Sequence, residues 1–138
     1  AALVDDVQSS AMKNNNDSCK VKRWDLLKAQ LNNLSSAEAQ HFLRAHSDCL
    51  IIDCRKPEEF KQVRFPKAVN IDYLAYDFWD RMKALAPERP ILVYCNTSRR
   101  SIRVCTLMKN GGFRAAYNLR GGLREWVDTL GDGDLVRG

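Results

Sequence analysis

The sequence has no apolar run of about 18 residues, the length that a helix needs to cross the hydrocarbon core of a membrane. No membrane span is therefore predicted. Lysine and arginine never occur more than two in a row, so the net charge of +5 is spread along the chain. We expect no nucleic-acid partner, and we expect the positive balance to draw small anions toward a cleft.

Metal and disulfide chemistry also have little support in the composition. The five cysteines are an odd number and include no Cys-x-x-Cys pair, which argues against a disulfide framework and against a zinc knuckle. The only two histidines, His41 and His46, fall in one predicted helical region and have no metal-ligand spacing to a cysteine. The sequence therefore predicts no metal ion, no cofactor and no histidine-assisted triad, and it places both histidines on the surface.

The 138 residues are about the length of one domain. Residues 1–21 are polar and largely aperiodic, which predicts a flexible N-terminal arm. We expect residues 22–132 to form a single domain and residues 133–138 a C-terminal tail. The cysteine usage favours a reducing compartment such as the cytoplasm. No charged and apolar leader precedes the arm, and a signal peptide removed earlier stays open as an alternative.

The spacing of apolar residues predicts alternating helices and strands from Trp24 onward, with a loop-like composition from Gly131. The predicted order is a helix carrying Trp24, Leu27, Leu31 and Leu34, a helix capped by Ser35 and Glu38, a strand at 49–54, a short helix from Pro57, a strand at 68–71, a helix carrying Leu74, Phe78, Met82 and Leu85, a strand at 91–94, a helix at 101–108, a strand at 115–119, and a last helix opened by Gly121 and Gly122.

This alternation predicts an α/β fold with a mainly parallel sheet and helices on both faces. In such a sheet, ligands bind beyond the carboxyl ends of the strands. Asp53 and Arg55 follow one predicted strand, Cys95 follows another, and Gly121 and Gly122 follow a third. We expect these three segments to meet in one crevice.

The most informative segment is Ile91–Ser101, where an apolar strand leads to a cysteine and two arginines precede a predicted helix. The start of a helix has unpaired N–H groups and the positive end of the helix dipole, which favour an anion. A cysteine beside such a helix start and two cations becomes a thiolate more readily. Packing in the core is the alternative role for this cysteine. The candidate site is Cys95 as nucleophile, with Asn96, Thr97, Ser98, Arg99 and Arg100 as the substrate-binding loop.

Four motifs in register resemble the rhodanese-like domain family, the single-domain sulfurtransferases, over about residues 34 to 130. The pattern Asp-x-Arg-x-Pro-x-Glu-[Phe/Tyr] is matched by Asp53–Phe60, and its continuation by Pro66–Ile71. Tyr94–Ser101 is similar to the family's active-site loop, and Gly112–Trp126 to its C-terminal signature. The resemblance implies a sheet of about five parallel strands and a nucleophilic cysteine held by the N–H groups of the loop.

The resemblance also implies a reaction. Cys95 would take sulfane sulfur from a small anionic donor such as thiosulfate, become a persulfide, and pass the sulfur to cyanide or to a thiol, including a thiol of a partner protein. Two half-reactions imply ping-pong kinetics. Asp53 and Arg55 would brace the site, while Gly121 and Gly122 would either allow close backbone approach to the cysteine or cap a turn.

Two segments depart from the family's pattern. Relatives commonly have Gly-His-Ile-Pro-Gly-Ala where this chain has Val63–Ala68, so Arg64 is expected to make that wall of the pocket bulkier and more basic. Ser98 stands where many relatives have glycine, which raises the energetic cost if the position needs a positive φ. Cys54 and Cys105 fall on predicted core faces, and a resolving-thiol role is the alternative to simple packing.

Two other functions stay as alternatives. A cysteine-dependent phosphatase or arsenate reductase needs Cys-x5-Arg, whereas the sixth residue after Cys95 is Ser101 and Arg100 falls one position short. A persulfide relay or a docking domain for a partner protein fits a basic rim at the site. The residues expected to form that rim are Arg64, Lys67, Arg99, Arg100 and Arg124.

Overall fold

The computed structural model describes Leu26 and residues 31–138, so the predicted N-terminal arm lies outside the described residues. The strands are β1 (Asn32–Leu34), β2 (Leu50–Asp53), β3 (Val63–Arg64), β4 (Val69–Asn70), β5 (Ile91–Tyr94), β6 (Ala116–Leu119) and β7 (Val136–Arg137). The helices are α1 (Ser36–Ala45), α2 (Pro57–Gln62), α3 (Phe78–Lys83), α4 (Arg99–Asn110) and α5 (Gly122–Leu130). In this part of the chain no helix is both long enough and apolar enough to cross a membrane.

The main sheet has five strands in the order β1-β6-β5-β2-β4, and every neighbouring pair is parallel. The central strand β5 is buried along its whole length. Its four consecutive nonpolar residues are typical of a parallel strand that is covered on both faces. The predicted α/β fold class is therefore confirmed.

The two faces of the sheet carry two separate parts of the core. Val93 and Cys95 pack on one face with residues of α3 and α4. Leu92 and Tyr94 pack on the other face with residues of α1 and α5. This alternation follows from the two-residue period of a strand. It places the Cys95 side chain on the same face as α4.

Helix α1 begins as the sequence predicts. The Ser35 hydroxyl accepts a hydrogen bond from the Glu38 N–H at 3.1 Å, and the Glu38 carboxylate accepts one from the Ser35 N–H at 2.8 Å. This reciprocal capping box satisfies N–H groups that have no partner within the helix. His41 in the helix and His46 at its end are exposed, as expected.

The helix predicted through Leu34 is wrong at its C-terminal end, because Asn32–Leu34 forms β1. Leu26 is helical, while the other residues from 24 to 30 lie outside the described residues. Leu31 and Leu34 pack against opposite faces of the sheet. Two apolar residues three positions apart can face the two sides of a strand as well as one side of a helix.

The helix predicted from Leu74 to Leu85 is shorter in the structure and begins only at Phe78. The Asp72 carboxylate accepts the Leu74 N–H at 2.9 Å, which holds the preceding residues in a turn. Leu74 is exposed rather than packed. A local side-chain hydrogen bond thus replaces the first turn of the predicted helix.

The loop-like segment after Gly131 contains a short strand, which corrects the sequence interpretation. Val136 and Arg137 form β7 and pair antiparallel with Val63 and Arg64. The Gly138 N–H then donates to the Gln62 carbonyl at 3.2 Å. This pairing ties the end of the chain to the segment that departs from the family's pattern.

Candidate functional site

Cys95 follows β5 directly and is only 1% exposed. The structure contains the predicted strand, short loop and helix, but α4 already begins at Arg99. Arg99 and Arg100 are therefore the first residues of the helix rather than residues before it. This earlier start directs helix N–H groups at the cysteine, because the first N–H groups of a helix have no partner within it. The Ser101 N–H donates to Cys95 Sγ at 3.4 Å, and the Arg100 N–H also reaches this sulfur.

The surroundings of Cys95 favour its thiolate. A hydrogen bond from the Cys54 thiol contributes most to lowering the pKa of Cys95, which falls to about 5. Burial opposes this effect, and hydrogen bonds to Ser101 and Arg100 lower the pKa further. The Ser101 hydroxyl lies 3.6 Å from Cys95 Sγ and 2.6 Å from Asn118 Oδ1. Cys54, directly after β2, and the first residues of α4 thus supply hydrogen bonds to one sulfur, and the thiolate predominates at neutral pH.

The Arg100 guanidinium is held by Glu59 instead of facing a free anion site. Its Nη1 lies 2.9 Å from Glu59 Oε1, and the two side chains are each about three-tenths exposed. The hydrogen bond from Arg100 is the largest cause of a lowered pKa at Glu59. The other carboxylate oxygen of Glu59 accepts the Asn96 side-chain N–H at 2.8 Å. Glu59 therefore fixes both ends of the loop that follows Cys95.

Glu59 is the functional residue that the sequence reasoning missed. It occupies the glutamate of the Asp-x-Arg-x-Pro-x-Glu motif, so the motif itself was the available signal. Its role depends on α2 lying beside the loop, which spacing along the chain does not reveal. The expected cationic stabilisation of the thiolate is replaced largely by hydrogen bonds, because the charge of Arg100 is balanced by Glu59.

Asp53 and Arg55 form a buried ion pair below the loop. Arg55 Nη2 lies 2.7 Å from Asp53 Oδ2, and the side chains are 2% and 0% exposed. Arg55 also donates to Asn96 Oδ1 at 3.2 Å and to the Val63 carbonyl. One guanidinium therefore connects β2, β3 and the loop.

The two glycines before α5 have different functions. Gly121 is the N-cap of α5 and Gly122 its first residue, with φ values of +80° and +68°. A Cβ atom on Gly122 would overlap the backbone of Asn96, whereas on Gly121 it would meet the flexible side chain of Glu125. The Leu123 N–H donates to the Cys95 carbonyl at 2.8 Å. Gly122 thus permits the close approach that lets α5 hold the start of the loop, and Gly121 caps the helix.

We expect Gly122→Ala to lower the free energy of unfolding by about 2 kcal/mol or more, because it adds both a backbone clash and an unfavourable positive φ. Urea denaturation of the wild type and the variant measures this change. Gly133→Ala is the matched control, because no atom lies within 4 Å of the added Cβ position. Equal stability of the two variants would contradict the close approach.

Other predicted site residues are spread around the loop. Ser98 has a φ of +70°, so the position where relatives have glycine does take the left-handed conformation. Thr97 and Arg99 are exposed. Arg64 is half-buried, and its guanidinium donates to the Phe60 carbonyl at the end of α2 at 3.3 Å. The structure therefore attaches the Arg64 guanidinium to α2.

The described residues include no group of three His, Cys, Asp or Glu side chains arranged to hold a metal ion. The groups at the Cys95 sulfur are the Cys54 thiol, the Ser101 hydroxyl and the N–H groups of Arg100 and Ser101. Such donors stabilise an anion at the sulfur.

The pKa of Cys95 gives a direct prediction for its alkylation by iodoacetamide. We expect the rate to rise through about pH 5 and to level off above about pH 7, because only the thiolate reacts. Cys49 serves as an internal reference, since burial raises its pKa to about 11. Ser101→Ala is expected to move the Cys95 midpoint to higher pH, because the Ser101 side chain contributes to the lowered pKa of Cys95. A wild-type midpoint near the ordinary thiol value of about 8.5 would contradict the assigned thiolate.

The fold and the site define an α/β domain with a cysteine thiolate in an anion-stabilising loop. The chain matches the model of the rhodanese-like domain over residues 29–129, and it belongs to the rhodanese-like domain family. The resemblance drawn from the four motifs is confirmed.

Named relatives and solved structures agree with this assignment. A sulfurtransferase of Allochromatium vinosum is 28% identical over a region that covers 70% of this chain and 89% of that protein. A thiosulfate sulfurtransferase from Pseudomonas aeruginosa has a TM-score of 0.66 and 25% identity, and the match covers 82% of this chain and 22% of that one. A polysulfide-sulfur transferase homodimer from Wolinella succinogenes shares the fold, with a TM-score of 0.69, 24% identity, and coverage of 85% and 88%.

Proposed function

We propose that the chain is a sulfurtransferase that moves sulfane sulfur from a small anionic donor such as thiosulfate to cyanide or a thiol through a persulfide on Cys95. The observation that carries this proposal is the Cys95 sulfur itself, buried at the end of β5 and surrounded by hydrogen-bond donors. The relatives named as sulfurtransferases support the same reaction class.

In the first half-reaction, the Cys95 thiolate attacks the outer sulfur of thiosulfate. The sulfur–sulfur bond of the donor breaks, sulfite leaves with its electron pair, and a persulfide anion forms on the enzyme. The N–H groups of Arg100 and Ser101 stabilise the negative charge before and after the transfer. No general base is needed, because the thiol is already ionised at neutral pH.

In the second half-reaction, the acceptor attacks the outer sulfur of the persulfide and Cys95 leaves as a thiolate. A nucleophile of low pKa is also a good leaving group, so the same hydrogen bonds assist both halves. Glu59, Asp53 and Arg55 act as positioning residues that keep the loop in the geometry of the anion site.

The site favours sulfur chemistry over phosphate-ester hydrolysis. An arginine that binds a tetrahedral oxyanion must present its guanidinium to that anion. Arg100 instead makes two hydrogen bonds to Glu59, at 2.9 and 3.4 Å. The spacing mismatch and this ion pair together disfavour the phosphatase or arsenate reductase alternative.

A thiol on a partner protein is the second candidate acceptor. Lys67, Arg99 and Arg124 are exposed, whereas Arg64 and Arg100 are engaged with α2. The basic rim is thus reduced to three exposed cations that suit an acidic partner surface. The cysteine usage of the sequence supports a reducing compartment such as the cytoplasm as part of this proposal.

Release of sulfite in the absence of an acceptor tests the proposed function. We expect one equivalent of sulfite per chain on mixing with thiosulfate alone, and thiocyanate when cyanide is present as well. Initial rates at several concentrations of both substrates should give parallel double-reciprocal lines. Sulfite release that requires cyanide to be present, or no release at all, would contradict a persulfide intermediate.

A further inference from the structure

A second thiol, Cys54, lies beside Cys95, directly after the adjacent strand β2. Strands β2 and β5 are parallel, and Asp53 lies opposite Tyr94. Cys54 and Cys95 are the residues that directly follow these two strands. The Cys54 N–H donates to the Tyr94 carbonyl at 3.1 Å, which continues the pairing to this point. Both cysteines are buried in the same part of the core. The sulfurtransferase mechanism itself gives Cys54 a hydrogen bond to Cys95 but no covalent step.

The placement of the two cysteines suits a disulfide. Neighbouring strands lie about 4.8 Å apart, and disulfides join Cα atoms about 4.4–6.8 Å apart. The side chains point to one face, and the Cys54 thiol has two acceptors, the Cys95 sulfur and the Tyr94 carbonyl at 3.4 Å. Cys105 is buried in the same part of the core, but it lies on α4 and is not aligned with Cys95 by strand pairing. The strand pairing therefore selects Cys54 as the partner.

We propose that Cys54 is a resolving thiol that discharges the Cys95 persulfide as hydrosulfide and leaves a Cys54–Cys95 disulfide. This inference rests on the proposed function, because that reaction supplies the persulfide. The Cys54 sulfur attacks Cys95 Sγ, the bond from Sγ to the outer sulfur breaks, and a bond between the two Sγ atoms forms. The proton of Cys54 passes to the leaving sulfur. The sulfane sulfur is reduced to sulfide, and the two cysteines are oxidised to the disulfide.

The loop assists this step at the leaving group. The outer sulfur carries negative charge as it departs, and the N–H groups of Arg100 and Ser101 already stabilise an anion at Cys95. An attacking thiol held against its target also reacts at a high effective concentration. An external dithiol is the co-reactant that reduces the disulfide for another turnover. The net activity is the conversion of thiosulfate and a dithiol to sulfite, hydrosulfide and a disulfide.

The same contact keeps Cys54 unreactive until Cys95 is loaded. The hydrogen bond to Cys95 is the largest cause that raises the pKa of Cys54, and burial adds to it. When Cys95 carries a persulfide, the negative charge moves from Sγ to the outer sulfur. This movement weakens the restraint on Cys54 at the stage when its attack becomes productive.

Peptide mapping after thiosulfate treatment tests the proposal. Trypsin yields residues 45–55, which contain both Cys49 and Cys54, and residues 84–99, which contain Cys95 alone. A Cys49→Ala background removes the ambiguity in the first peptide. In that background, without added acceptor, we expect one equivalent of sulfite, one equivalent of sulfide, and a disulfide that joins the two peptides.

Cys54→Ser in the same background is the informative variant, because serine keeps a hydrogen-bond donor beside Cys95 but has no sulfur. We expect it to release sulfite without sulfide and to hold the persulfide at least about 10-fold longer than the unsubstituted background. Cys105→Ala is the matched control and should form the disulfide as the background protein does.

The possible outcomes separate the two proposals. One outcome would overturn the resolving role alone. In it, a sulfite burst occurs, the persulfide persists equally long with and without Cys54, and no disulfide joins the two peptides. The absence of a sulfite burst would overturn both the resolving role and the proposed function. Because the disulfide is sought in protein that retains Cys54 and Cys95, the test does not depend on the folding of the Cys54→Ser variant.

Discussion

We expect Cys95→Ser to lower kcat/KM for sulfur transfer from thiosulfate to cyanide by at least about 10³-fold. A serine hydroxyl stays protonated at neutral pH and does not form a persulfide, so both half-reactions are lost. The sulfur it replaces is held at low pKa by donors from β2 and α4. The rate of thiocyanate formation measures the loss.

Cys49→Ser is the control for this substitution. Cys49 precedes β2, and burial raises its pKa, so its thiol does not compete as a nucleophile at neutral pH. We expect this variant to turn over at close to the wild-type rate. Comparable turnover by Cys95→Ser, with an unchanged circular dichroism spectrum, would show that another residue carries the sulfur.

Asp53→Ala is expected to cost about 3–5 kcal/mol in the free energy of unfolding. The substitution leaves the Arg55 guanidinium charged, almost fully buried and without its bidentate partner. A charge in that position has lost its hydration and gains no compensating ion pair. Urea denaturation with a constant m-value measures the loss.

The chain contains a matched exposed pair for comparison. Arg137 and Asp132 are also separated by 2.7 Å, but their side chains are 62% and 52% exposed. We expect Asp132→Ala to leave the free energy of unfolding nearly unchanged, because water screens and solvates both partners. Similar costs for Asp53→Ala and Asp132→Ala would argue against a structural role for the buried pair.

The parallel sheet was predictable because its inner strands have a distinctive composition. Each of the strands Leu50–Asp53 and Ile91–Tyr94 is a short run of mostly apolar residues between turn signals. Each run is followed by the start of a helix. The capping box at Ser35 and Glu38 likewise depends on residues only three positions apart. Features fixed by neighbours in sequence were therefore recovered well.

The edge strands were not predictable in this way. Strand β1 exists because Asn33 pairs with Asn118, and β7 exists because Val136 pairs with Arg64. Each strand has only two or three residues, too few to show a period of its own. Tertiary pairing decides their conformation.

The sequence pointed to Cys95, its loop and some supporting residues, but not to Glu59 or Asn118. Cys95 and its loop are adjacent in sequence, but Cys54 and Asn118 reach the site from other strands and Glu59 from α2. The helix start was misplaced because Ser98 takes a left-handed conformation that lets α4 begin at once. Roles that arise from strand register and helix placement required the structure.

Peptide-mapped mass spectrometry after a brief, acid-quenched exposure to thiosulfate tests the sulfur-carrying role of Cys95 most directly. We expect the mass of one sulfur atom on residues 84–99, removed by a cyanide chase and absent in Cys95→Ser. The Cys54→Ser variant should be included so that discharge by Cys54 does not hide the persulfide. No added sulfur on this peptide in either Cys95-containing protein, despite rapid alkylation of Cys95 at neutral pH, would contradict the proposed persulfide chemistry.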